Sequence, residues 1–126
     1  MKTPINYVNE IDANFLICSS KKLSRLSVEW GKFSVDMNRE IRERIENNDP
    51  DTLMLKYVFI YWVNRSQHLQ LLYEKRGGLL GKGKIRRKNN ECREIRNIIV
   101  NGLDTDPLNL KMQSRWSDFI GRIVGR

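Results

Sequence analysis

The stretch LMLKYVFIYWV, Leu53 to Val63, decides the fold. Its apolar residues are broken only by Lys56, and it is rich in Tyr, Val, Phe and Ile. Such a run suits a buried strand or a helix buried on nearly every face, because short apolar runs carry no period. Its surroundings favour helix. Asp49-Pro50 lies just upstream, where an acid can cap and a proline at the first helical position loses no hydrogen bond. Downstream, Leu69, Leu72 and Tyr73 continue the pattern until Gly77-Gly78 closes it. The spacing predicts a central buried helix over 50–76. With Lys56 inside it, the apolar run falls well short of the ~20 residues a membrane span needs.

The same punctuation organises the rest. Thr3-Pro4 and Asp106-Pro107 mark two further helix starts. Ile5, Val8, Ile11, Phe15 and Cys18 recur at spacings of three and four, which predicts a helix over 4–18. A second stripe runs through Leu23, Leu26, Trp30, Phe33, Met37, Ile41 and Ile45, with alternating charges from Arg39 to Glu46 on its wet side. It predicts a helix over 20–47, ended by NNDPD (Asn47 to Asp51). Cys92, Ile95, Ile98 and Ile99 give a helix over 86–101, stopped at Asn101-Gly102. Leu108, Met112, Trp116, Phe119, Ile120 and Ile123 give a last one over 107–124. No hairpin signal appears. The 126 residues read as one all-α domain, an irregular bundle of four to five helices, with a basic glycine-rich loop between the central and penultimate helices. Trp30, Trp62 and Trp116 lie on apolar faces and read as core.

Candidate chemistry is sparse. His68 is the one histidine, and a lone histidine is more often a surface or satisfied core residue than a base or ligand. Cys18 and Cys92 are far apart, in no metal-ligand spacing, and read as reduced thiols in an intracellular protein. Asp49/Asp51 and Asp104/Asp106 sit at helix starts, where carboxylates cap free N–H groups, so they do not imply a nuclease centre. No activated serine motif is present. The sequence therefore implies no enzyme, no metal and no cofactor. Without a signal-peptide pattern or an apolar span, a cytoplasmic location is expected.

Charge is the informative feature. The net charge is +8, yet residues 1–74 balance ten basic groups against ten acidic ones. The segment EKRGGLLGKGKIRRKNNECREIR, Glu74 to Arg96, is where the excess lies: residues 75–96 alone carry +7. Glycine-rich loops can cradle phosphate, but a P-loop fails here. Arg76 stands where its first glycine belongs, and Gly83 follows Gly81-Lys82 where Ser or Thr is needed. A Gly-x-x-Gly likeness at Gly78 to Gly81 lacks the sheet that a KH domain requires.

What remains is a mobile basic loop running into an arginine-rich helix start near Ile85. Basic groups at a helix N-terminus oppose its dipole, a cost that an anionic partner would offset. The expected contacts are Lys75, Arg76, Lys82, Lys84, Arg86, Arg87, Lys88, Arg93 and Arg96 to phosphates, with Asn89 and Asn90 as base readers. No aromatic residue interrupts 75–96, so duplex or structured nucleic acid is expected ahead of single strands. These features predict a small basic nucleic-acid-binding regulatory or accessory protein, DNA-directed more than RNA-directed. The 23–45 stripe is either core or the seam of a homodimer. The alternative is a protein-interaction module: an inhibitor, adaptor or assembly factor of a mobile element or virulence system. It would meet an acidic protein partner through the basic surface, or act through the amphipathic helix 23–45.

Overall fold

The computed structural model of the chain describes residues 2–20, 23–74 and 79–102, without the side chains of 23–27, 79 and 80. Four helices account for nearly all of them: α1 (Pro4–Ser19), α2 (Leu23–Glu46), α3 (Thr52–Glu74) and α4 (Leu79–Asn101). No strand occurs among the described residues. The predicted helix over 107–124, and with it Trp116 and the Asp104/Asp106 pair, lies outside them.

The start of α1 is set by local chemistry. Thr3 Oγ1 accepts from the Asn6 backbone N–H at 3.2 Å, and Asn6 Oδ1 accepts from the Thr3 N–H at 2.9 Å. This reciprocal capping box, with Pro4 in the first turn, satisfies otherwise orphaned donors. Tyr7, Val8, Ile11, Phe15 and Cys18 form its buried face.

α2 ends in a Schellman turn. The Asp49 N–H donates to the Arg44 carbonyl at 3.0 Å and the Asn48 N–H to the Ile45 carbonyl at 3.1 Å. Asn48 carries a φ of 56°, the left-handed conformation that asparagine tolerates better than most residues. α3 begins at Thr52, two residues later than Asp49-Pro50 suggests. Asp49 Oδ1 accepts from the Asp51 N–H, and the Asp49 carbonyl from the Thr52 N–H, so Pro50 sits inside a turn. Asp51 supplies the first helical acceptor, for Leu55 N–H at 2.8 Å. Arg44 locks the turn: its Nε donates to Asp49 Oδ2 at 2.8 Å, and its Nη1 to the Lys2 carbonyl at 2.6 Å. The Arg44 guanidinium holds the Asp49 carboxyl below its ordinary range.

α3 is the centre of the fold and packs against all three other helices, most extensively against α4. Tyr57, Val58, Phe59, Ile60 and Tyr61 are consecutive and all buried. A helix suits them because its backbone is satisfied internally while every face meets a neighbour. α1 touches α2, α3 and α4, whereas α2 and α4 barely meet. Two tryptophans pin α2 to α3: Trp30 Nε1 donates to Ser66 Oγ at 2.8 Å and Trp62 Nε1 to Ser34 Oγ at 3.0 Å. The crossed pairing, 30 with 66 and 34 with 62, sets these helices antiparallel.

Trp30, Met37, Ile41 and Ile45 are buried within the chain, with Phe33 packed against them. From Trp30 onward the long stripe is core, and it is not free to form a dimer seam. Cys18 and Cys92 are both buried and are not joined in a disulfide. None of the described helices is long and apolar enough to cross a membrane.

Candidate functional site

The region expected to be a glycine loop is largely helix. α4 starts at Leu79, so Gly81, Lys82, Gly83 and Lys84 lie inside it and not in a loop before it. Propagating a helix costs one residue's ordering per hydrogen bond, so two glycines, each worse than alanine by about 1 kcal/mol, do not stop one that is anchored downstream. The anchors are Cys92, Ile95, Ile98 and Ile99, all buried. The earlier start also weakens the dipole argument. Lys82 alone of the basic side chains lies in the first turn, and the dipole's influence fades beyond that turn. Lys75 and Arg76 fall outside the described residues.

α4 is held by a polar cluster reaching from α1 and α3. The hub is Arg65, whose side chain is only 12% exposed. Its Nε donates to Tyr61 Oη at 3.1 Å, and its Nη1 lies 3.0 Å from both Asn89 Oδ1 and His68 Nδ1. The Tyr61 hydroxyl donates to Asp12 Oδ1. Asp12 also faces Arg65 Nε at 3.5 Å and Arg96 Nε at 3.6 Å. The Arg65 guanidinium lies over the Phe15 ring, 4.9 Å from its centroid, and His68 stacks on the same phenyl at 4.8 Å.

The electrostatics of this cluster are those of a closed network. Burial, reinforced by the Arg65 and Lys88 cations, pushes His68 down to about 4. A neutral His68 accepts through Nδ1 the hydrogen that Arg65 presents. Burial first, and then the hydrogen bond to Asp12, raises the Tyr61 phenol, which stays protonated as the donor. Burial pushes the Cys92 thiol up to about 11, away from nucleophilic thiolate. The cluster resembles a catalytic constellation in composition, but its groups satisfy one another. No group of His, Cys, Asp and Glu among the described residues could hold a metal ion.

The expected contact residues divide into two sets. Lys88 Nζ gives its hydrogens to Asn64 Oδ1 at 3.3 Å, Gln67 Oε1 at 2.8 Å and Glu91 Oε2 at 2.9 Å. Asn89 serves Arg65, and Arg96 leans toward Asp12. These three are structural anchors first. Lys82, Lys84, Arg86, Arg87, Asn90 and Arg93 are exposed. None of the five cations among them has an ion-pair partner among the described residues. Within this set Lys82, Arg86, Asn90 and Arg93, joined by Asn97, are spaced four, four, three and four apart. They therefore share one helical face, about 22 Å long at 1.5 Å per residue. It is the side turned away from Cys92, Ile95 and Ile99.

Asn97 is missing from the sequence-based set, although its spacing from Arg93 places it on the same face. Asp12, Tyr61 and Arg65 are also missing. The signal for Arg65 and His68 was present: two polar groups one turn apart on a helix buried nearly all round need partners. No protein-family model, curated protein or solved structure matches this chain.

Proposed function

We propose that the protein is a small nucleic-acid-binding accessory or regulatory protein that lays the outward face of α4 against a duplex, preferring DNA to RNA. The observation that carries this reading is the uncompensated stripe of Lys82, Arg86 and Arg93, with Asn90 and Asn97 on the same face. Lysine and arginine at one-turn intervals suit successive phosphates, and asparagine can bond an adenine edge bidentately. B-form DNA admits a helix into its major groove, whereas the A-form RNA major groove is deep and narrow. The Arg65 cluster supports the reading by fixing how α4 is rotated, so that hydrophobic residues face inward and the cations outward.

Fluorescence anisotropy with labelled duplex DNA, single-stranded DNA and duplex RNA of one sequence tests it. Tightest binding to duplex DNA, weakened when Lys82, Arg86 and Arg93 become alanine, is the expected result. Equal binding by the triple variant overturns the assignment. The competing reading, a module for an acidic protein partner, would use the same cations, because the α2 stripe from Trp30 onward is committed to the core. A stoichiometric protein partner retained through nuclease digestion and high salt would favour that module.

A further inference from the structure

A second flank of α4 carries charge that the outward stripe does not use. Lys84, Arg87, Lys88 and Glu91, spaced three, one and three apart, line a cleft of about 260 Å³ against Leu71 of α3. We propose that this cleft binds a phosphate monoester on a hydroxylated body of nucleoside monophosphate size.

Lys88 is already saturated: an ammonium has three hydrogens, and Asn64, Gln67 and Glu91 take them. It contributes field and rigidity, while Glu91 cancels its charge. Lys84 and Arg87 lie one turn apart with no carboxylate partner among the described residues, and they repel each other until an anion joins them. Two such cations match a phosphate monoester dianion, which an arginine fork can grip through two oxygens. Glu91 uses Oε2 for Lys88, and as a residue lining the cleft it leaves a second carboxylate oxygen with acceptor capacity for a ligand hydroxyl. Half-buried Leu71 offers the remaining apolar contact. The volume points the same way. The cleft is open to solvent, and its space exceeds the ~150 Å³ that holds benzene. An inorganic ion would leave most of it empty.

The proposal does not rest on duplex binding, and its test separates the two. Calorimetry on the full chain would compare adenosine monophosphate, adenosine and inorganic phosphate as titrants. Expected are saturable binding of the monophosphate, roughly tenfold or more tighter than phosphate, and no binding of adenosine. Lys84→Ala with Arg87→Ala should weaken it about tenfold or more, whereas Lys82→Ala with Arg86→Ala should leave it unchanged. Circular dichroism should show equal helix content in both variants. A monophosphate that does not saturate, that binds no better than phosphate, or that ignores the Lys84/Arg87 change overturns the proposal. An oligonucleotide with a 5′-phosphate that competes where its 5′-hydroxyl twin does not identifies a strand end as the source. Absence of that competition identifies the free nucleotide.

Discussion

α2 and α4 are nearly equal in length, and each carries a buried apolar stripe beneath a charged outer face, with one internal glycine in α2 and two in α4. Their charges have opposite fates. On α2, Arg39 pairs with Asp36 at 3.2 Å, Arg42 Nε bonds Asn38 at 3.0 Å, and Arg44 is fixed between Asp49 and Asp51. On α4, Lys82, Lys84, Arg86, Arg87 and Arg93 have no such partners among the described residues. A charge-rich helix is thus not in itself a binding surface. What distinguishes α4 is its balance: seven basic side chains against only two acids, Glu91 and Glu94, where α2 carries five of each, so the field of α4 extends into solvent.

The largest expected effect tests how α4 is held. Arg65→Ala leaves Asp12, Tyr61, His68 and Asn89 without their shared partner, and breaking a buried charged network costs about 3 kcal/mol or more. Arg39→Ala on the exposed side of α2 should cost no more than about 0.5 kcal/mol. Urea denaturation of both variants measures the contrast, and equal losses would mean the cluster is not an anchor.

Next comes acid sensitivity. His68 is depressed to about 4 in the fold, so the unfolded chain, near the ordinary 6.5, binds the extra proton between those values. Its contribution is complete above pH 6.5 and is lost as pH falls toward 4, up to about 3 kcal/mol. His68→Gln, which keeps an acceptor for Arg65 but cannot titrate, should flatten that part of the stability curve. Parallel curves for variant and wild type would show that His68 is not held neutral.

The smallest effect concerns the glycines. A Cβ built on Gly31 of α2 or Gly83 of α4 meets nothing within 4 Å. Both Gly→Ala changes should therefore stabilise the protein by about 0.5–1 kcal/mol. Gly83→Ala is the sharper of the two: a loss of stability in thermal melts would mean that residues 79–84 are not helical.

These glycines also mark where sequence reasoning stopped. Local chemistry made most boundaries legible, because capping residues and prolines act over a few positions: Thr3-Pro4 starts α1, and Leu53 to Val63 reads correctly as the buried helix. Gly81 and Gly83 misled because propensity is a weak prior that downstream packing at Cys92, Ile95 and Ile99 overrides. The site was legible only in composition. That Lys88 and Asn89 turn toward α3, while Asn97 joins the outward face, depends on the rotation of α4. Asp12 and Arg65, far apart in sequence, set that rotation together.

The central claim is that the uncompensated α4 face makes this protein's electrostatic contacts to nucleic acid. It is tested most directly by the salt dependence of duplex DNA binding in three proteins: the wild type, Lys82/Arg86/Arg93→Ala on α4, and Lys32/Arg39/Arg42→Ala on α2. The logarithmic slope of affinity against salt should become shallower by about 3 in the α4 variant and stay near the wild-type value in the α2 variant. A slope that falls equally in both variants, or that is close to zero in the wild type, would contradict the account.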